Sequence, residues 1–379
     1  MSPTSQTLTL AFGLAFEDLY RRAGLEKVDA AFAQSLLEAD APLHTRWVAA
    51  RADPAALEYK AEAQLLLAVA PHVDRFVAKL FAIEEDWQDL VESHHELAPL
   101  FKVKRKFVQR RAMLKIKADE AASLDGPALL AQLTQRLGGA FDELLFANTV
   151  ILWVEDEANH ADDLALAERF AAWAAHTRDG RRAFKGGVLF KPPQRVDPMH
   201  LVPVHTERDK GYTVHTLHHI RRREGFALTD HGTHLAGALD EANYCIWCHE
   251  QDKDSCSKGL KEKPDALGRV AFKKSPFGVP LAGCPLEERI SEFHKLKTEG
   301  WAIGALATIV IDNPTVCATG HRICNDCMKS CIYQRQEPVN IPQAETRTLK
   351  DVLELPWGFE IYSLLTRWNP LNLRRPLPL

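Results

Sequence analysis

The chain has 379 residues, 46% apolar and 26% charged, with a formal net charge of −4. This is the profile of a soluble globular protein with room for two or three domains and a sizeable core. It excludes a protein built to coat nucleic acid and, since no apolar run reaches the ~18 residues of a bilayer span, a helical membrane protein. Residues 1–20 lack the basic region and small-residue cleavage site of a secretory signal, so the expected location is the cytoplasm.

Residues 1–180 contain no cysteine and carry Ala and Leu at helical spacing, which predicts a helical scaffold domain, with a surface on which a catalytic subunit would dock. The basic stretch at Lys102, Lys104, Arg105 and Lys106, continued by Arg110, Arg111, Lys115 and Lys117, reads as a solvated helix face, with an acidic partner or nucleic acid as the sharper alternative. Asp125-Gly126-Pro127 marks a break followed by a helix start. Over residues 141–154, Phe141, Leu144, Leu145, Val150 and Leu152 recur at intervals compatible with one buried face. Phe170, Trp173 and Ala174 repeat the spacing in the next segment. Between them, Glu155-Asp156-Glu157 with His160 reads as a charged turn after a helix rather than an acid/base cluster.

Residues 181–239 shift to Pro, Val and His, predicting an extended connector or a small β element. His215, His218, His219, His231 and His234 lie here; no carboxylate pattern completes a metal site, and they read as surface histidines. The cysteine region occupies residues 240–350, and residues 351–379 read as a linker.

All eight cysteines fall in the last third, as two groups of four. Cys245, Cys248, Cys256 and Cys284 read C-x2-C-x7-C-x27-C; Cys317, Cys324, Cys327 and Cys331 read C-x6-C-x2-C-x3-C. In a reducing cytoplasm thiols in such groups are metal ligands rather than disulfides, and four thiolates complete one iron–sulfur cluster or one zinc site. The C-x2-C-x3-C spacing at Cys324, Cys327 and Cys331 and the proline after Cys284 are habits of iron–sulfur loops. A helix starting over residues 287–294, with acidic residues in its first turn, would turn Leu286, Ile290, Phe293 and Leu296 toward the centre and keep water away. Two four-cysteine zinc sites in a structural or interaction module remain the alternative, and Cys245/Cys248 and Cys324/Cys327 have the knuckle spacing. Cys245-Ile246-Trp247-Cys248-His249 also spells the c-type haem attachment motif, but haem attachment needs export and leaves six cysteines unexplained. His249 then reads as a surface residue or a neighbour of the ligands.

Further residues carry a family resemblance. Tyr244-Cys245-Ile246-Trp247-Cys248, Gly283-Cys284-Pro285-Leu286, the run from Glu299 through Gly300, Trp301 and Gly304 to Leu306, Asn313-Pro314, the second cysteine group and Glu337-Pro338-Val339-Asn340-Ile341 occur in an order that resembles an iron–sulfur domain over about 100 residues. That domain is the N-terminal one of the glutamate synthase small subunit and of dihydropyrimidine dehydrogenase, in the FAD-dependent pyridine nucleotide-disulfide oxidoreductase family. The resemblance implies an α-helical ferredoxin-like module with two [4Fe–4S] clusters, feeding or fed by a flavin and NAD(P)H domain. It also implies that ligands interleave, with Cys331 completing the first cluster and Cys284 the second, and that Glu345 is a candidate in place of a cysteine, Cys317 first. No G-x-G-x-x-G occurs in the chain, so FAD and NAD(P)H are expected only in a domain following Leu379 or in a partner. Lys273, Lys274 and Arg322 lie near ligands in sequence, where positive charge would raise a cluster potential.

The expectation is a mainly α protein, a helical domain followed by an α-helical ferredoxin-like domain, that relays electrons within an oxidoreductase and is not a complete enzyme by itself.

Overall fold

The computed structural model describes residues 10–209, 211–220, 222–251, 253–320 and 323–378; Arg322 and Leu379 lie outside them. Two short 3-10 turns lead into α1 (Arg22–Ala39), α2 (Ala41–Ala52) and α3 (Tyr59–Leu80). Asp40 opens α2, its carboxylate accepting from Leu43 N–H at 2.8 Å and so pairing a donor that the first helical turn leaves free. After α4 (Glu84–Glu96), α5 (Ala98–Val103), a π-helix (Lys104–Ala112) and α6 (Met113–Lys115) run on as one rod. Beyond α7 (Ala118–Ala122), Asp125 caps α8 (Gly126–Leu137) through Ala128 N–H at 3.1 Å, with Pro127 in the first turn, as the Asp-Gly-Pro signal predicts. Gly126 has to be glycine, because a Cβ there would lie 1.9 Å from the Trp173 ring.

α9 (Glu143–Glu155), α10 (Ala161–His176) and α11 (Arg178–Ala183) complete this part. The buried stripe of α9 is Phe146, Ala147, Val150 and Trp153, not the face expected. Asp142 caps the helix, so Phe141 precedes it, while Leu145 and Leu152 face solvent. On α10, Phe170, Trp173 and Ala174 are buried as the spacing requires. Residues 181–239 contain one antiparallel hairpin, β1 (Val204–Asp209) with β2 (Tyr212–Leu217), and nearly all of it is exposed.

The cysteine region is built from α12 (Leu235–Tyr244), α13 (Ser255–Lys258), α14 (Ile290–Thr298), α15 (Ala302–Asp312), α16 (Val316–Thr319), α17 (Asp326–Lys329) and α18 (Ile341–Leu353), followed by α19 (Gly358–Leu365). α14 starts at Ile290 rather than at Glu287, because Glu287 itself adopts φ 51°, outside the helical region. Leu286 is consequently exposed, whereas Ile290, Phe293 and Leu296 are buried.

Two cores divide the chain, and they cut across the boundaries read from sequence. The first joins apolar residues of the segment from Leu10 to Ile83 with those of α14, α15, α18 and α19 and with Cys256, Cys327 and Cys331. The second holds Leu100 through Phe190 with Leu239. Residues 1–180 are therefore not one scaffold: the first three helices share their core with the cysteine region. Residues 351–379, expected as a linker, are packed as well. Trp368 is fully buried and donates from Nε1 to Asp29 at 3.0 Å, Trp47 Nε1 donates to the Pro370 carbonyl at 2.9 Å, and Asn369 donates to the Ala307 carbonyl at 2.7 Å. No helix among the described residues is long and apolar enough to cross a membrane.

A charged network crosses the first core. Lys297 on α14 donates to Asp351 on α18 at 2.5 Å with both side chains fully buried, Arg347 Nε donates to the other Asp351 oxygen at 2.5 Å, and His94 Nε2 lies 3.7 Å away. Removing the carboxylate leaves an uncompensated cation inside, so Asp351→Asn is expected to cost about 3–5 kcal/mol in urea unfolding. Burial, with the charge of Lys297 second, holds the His94 imidazole down to about 4, below its ordinary 6.5, although Asp351 pulls the other way. Its folded pKa is depressed, so the unfolded chain binds the proton better: stability is complete above pH 6.5 and drains as pH falls toward 4. The loss traced to this residue is about 2 kcal/mol at about pH 5. His94→Gln should flatten that part of a stability–pH curve; an identical acid slope in the variant would show that His94 does not titrate in this way.

Candidate metal centre

Four sulfurs from three separate stretches meet in one small cavity: Cys245, Cys248, Cys256 and Cys331. Cys245 directly follows α12, Cys248 opens a 3-10 turn, Cys256 lies in α13 and Cys331 follows α17. Trp247 between the first two adopts φ 51°, a left-handed conformation costly for a large side chain, and this bend turns its N–H onto the Cys245 sulfur. The remaining wall is apolar, from Ile246, Ile290, Val339 and Ile341, apart from Tyr333 and His294.

The second grouping is Cys284, Cys324 and Cys327, whose thiols sense one another electrostatically, with Glu288 and Glu345 against Cys327. Cys284 is tied to the first group through the backbone, its N–H donating to the Cys256 carbonyl at 2.8 Å. Cys317 stands apart: it is exposed, and its N–H reaches the Tyr362 hydroxyl at 3.5 Å. The structure thus groups the cysteines with Cys331 beside Cys245, Cys248 and Cys256, and Cys284 beside Cys324 and Cys327, rather than as the two runs seen in sequence.

Burial governs the thiols. It pushes Cys248 and Cys284 up to about 11, and Cys245 and Cys327 higher still. Cys256 and Cys331 share a hydrogen bond, which raises the first and lowers the second to about 7. Backbone amides converge on the sulfurs: Tyr333, Val339 and Ile332 on Cys331, Leu286 and Glu288 on Cys284, and Ser255 on Cys248. Glu345 and Glu288 are hydrogen bonded to each other and raised, to about 8 and about 7, by burial first and by each other's charge for Glu345, while Asn313 donates to Glu345 at 3.2 Å. At neutral pH this carboxyl pair retains about one proton.

All eight thiols are free. Among the described residues no three His, Cys, Asp or Glu side chains close around one point as a single-ion site. The donor set nevertheless fits a sulfur-ligated centre. Four soft thiols are gathered around one cavity, burial disfavours the thiolates of Cys245 and Cys248, and N–H groups already point at sulfur. His294 lines the same cavity, fully buried, with neither ring nitrogen hydrogen bonded and its pKa pulled down to about 3 by burial. A neutral imidazole with an unpaired N–H in a sulfur-lined cavity has a use for an acceptor placed there.

Several side chains around the cavity carry no sequence signal. Asp254 caps α13 through Ser257 N–H at 3.2 Å, and its other carboxylate oxygen accepts from Tyr59 on α3 at 3.1 Å and from Ser291 at 3.2 Å. His249 is buried, its Nδ1 2.6 Å from the Ser291 hydroxyl, not on the surface. Asp254 two residues before Cys256 is a legible cap; its partner 195 positions away is not. The other candidates have ordinary roles. His234 Nδ1 caps α12 by accepting from Gly237 N–H at 3.0 Å, His215 pairs with Thr206 at 3.0 Å, and His218, His219 and His231 are exposed. His160 pairs with Asp163 at 3.0 Å and Glu157 with Arg111, as a charged turn does. Lys273 and Lys274 are exposed.

Residues 10–82 match the family described as RP005 N-terminal alpha-helical domain. They include α1 to α3, the last of which brings the Tyr59 hydroxyl to Asp254. The chain is 29% identical over 307 residues, 77% of its length and 99% of the relative's, to the protein of Rickettsia prowazekii (strain Madrid E) described as uncharacterized protein RP005. It is 68% identical over 63 residues to uncharacterized protein RP006 of the same organism, a stretch that covers 17% of this chain and 9% of that relative. No solved structure matches the chain.

The grouping is testable by metal content. Cys331→Ser should lose about half of the bound metal, whereas Cys317→Ser should lose much less than Cys327→Ser. Equal losses at Cys317 and Cys327 would place Cys317 among the ligands and leave Glu345 outside.

Proposed function

We propose that this chain is an iron–sulfur electron-transfer module that holds two [4Fe–4S] clusters and works with an FAD- and NAD(P)H-binding domain or subunit. The observation that carries this is the burial of Cys245, Cys248, Cys256 and Cys331 around one apolar cavity, with backbone N–H groups aimed at their sulfurs. Cys284, Cys324 and Cys327 would hold the second centre, with Glu345 as the nearest further donor and Cys317 as the alternative. A bound cluster supplies one-electron chemistry at a potential set by charge, N–H···S bonds and solvent access. The protein's own part is to hold the thiols, exclude water with Ile246, Ile290 and Val339, and fix the amide donors.

With no nucleotide-binding glycine motif in the chain, the two-electron chemistry on this proposal belongs to a partner, and the proposed compartment is the cytoplasm. On this reading the chain is one part of an oxidoreductase, with the redox partner and a possible catalytic subunit outside it.

Protein purified without oxygen should contain about eight irons and eight sulfides per chain and show a broad absorption near about 400 nm that bleaches on reduction. About two zincs without sulfide would overturn the redox reading and leave a zinc-stabilised interaction module.

A further inference from the structure

On the outer side of the cysteine cavity lies a cleft of ≈ 940 Å³ between the second helical core and the α12 region. Its rim carries Lys102, Arg105, Lys106, Arg110, Lys117 and Lys191, all exposed, and among the described residues none of the six is in an ion pair. Lys104, also at the cleft, is instead half of a bond to Asp240 at 2.6 Å, and Glu241 and Glu337 accept from the backbone amides of Asn340 and Gln194. The lining is therefore strongly and unevenly cationic in a chain whose formal net charge is −4.

Arg105, Lys106 and Arg110 all lie on the π-helix and line the cleft, while Arg111 turns away to Glu168 at 2.6 Å. At the inner end of the cleft Tyr244 and Tyr333 stack with centroids 4.4 Å apart and planes 3° from parallel. Tyr244 is fixed by donating to the Glu337 carbonyl at 2.9 Å and by accepting from Gln336, and Tyr333 by donating to the Tyr244 carbonyl at 3.2 Å.

We propose that this cleft binds a free nucleoside diphosphate, with the phosphates on Arg105, Lys106 and Arg110 and the base toward the Tyr244–Tyr333 stack. Exposed guanidinium groups suit phosphate oxygens, a fixed aromatic wall suits a planar base, and the volume lies in the range of small-ligand sites, about 300–1,000 Å³. An acidic protein segment would use the charge but has no need of the concavity or the aromatic floor.

The inference does not depend on the cysteines holding a cluster, since its test reads binding alone. ADP, tripolyphosphate and adenosine are titrated calorimetrically into the full chain at about 50 and about 300 mM salt. ADP should bind saturably and weaken with salt; tripolyphosphate should bind less tightly and adenosine not measurably. The exposed double variant Arg105→Ala/Arg110→Ala should lose at least about tenfold in ADP affinity while its circular dichroism and melting stay unchanged. Arg178→Ala, outside the cleft, should bind as the parent does. No saturable ADP binding up to about 1 mM overturns the proposal, as does equal affinity in the double variant. Binding of a polyglutamate peptide, lost in the double variant, without ADP binding would reassign the cleft to an acidic protein partner.

Discussion

The carboxylate of Asp74 is the tie on which the arrangement of the first core depends. Fully buried on α3, it accepts from Ile303 N–H at 3.1 Å, from Gly304 N–H and from the Trp87 indole at 3.2 Å. Ile303 and Gly304 belong to the first turn of α15, where backbone donors have no partner within the helix and the dipole favours negative charge. A residue from the N-terminal helices thus caps a helix of the cysteine region. Burial raises Asp74 to about 7, so the amide donors are what make the anion tolerable. Gly304 is part of the same contact: a Cβ there would lie 2.8 Å from the carboxylate and 2.9 Å from Ala70. Close approach of α3 and α15 therefore requires both residues together.

From that contact the site follows. α15 packs on α14 and α18, and these carry Ile290, His294 and Ile341 to the cavity wall, while α3 carries Tyr59 to Asp254. The price of such enclosure is that thiols and carboxyls sit where their charged forms are disfavoured. Desolvation leads the causes for Cys245, Cys248, Glu292 and Glu345 alike. A core made of aliphatic residues at these positions would be easier to bury. Retaining unpaired thiols, an unbonded imidazole and protonated carboxyls around two points makes physical sense when a positively charged inorganic centre completes the set.

The sequence made the clustering of the cysteines legible, because residue type and spacing are local. It made local starts legible too, as at Asp125-Gly126-Pro127 and the hairpin in residues 204–217. What it hid depends on distant partners or a single backbone angle. Periodicity over residues 141–154 admits two faces, and only the Asp142 cap sets the phase that buries Phe146 and Trp153. Proline and arginine in the last residues suggest a linker, yet Trp368 finds Asp29, 339 positions away. Cys331 and Cys256 meet through loop geometry that no spacing rule states, and the left-handed Glu287 moves the start of α14 by one turn.

Tyr244 and Tyr333 face both the buried and the exposed sides of this region. Each lies beside a cysteine of the first group, Cys245 and Cys331, and each lines the cationic cleft. The charge of Arg105 is felt at the Tyr333 hydroxyl, opposing the burial and the neighbouring thiols that raise its pKa. Neutralising the rim removes the field that would draw an anion in and, at Arg105, the charge that opposes the raised Tyr333 hydroxyl. The cleft and the cysteine cavity share Cys245, Ile246 and Tyr333 in their walls, with Tyr244 stacked on Tyr333.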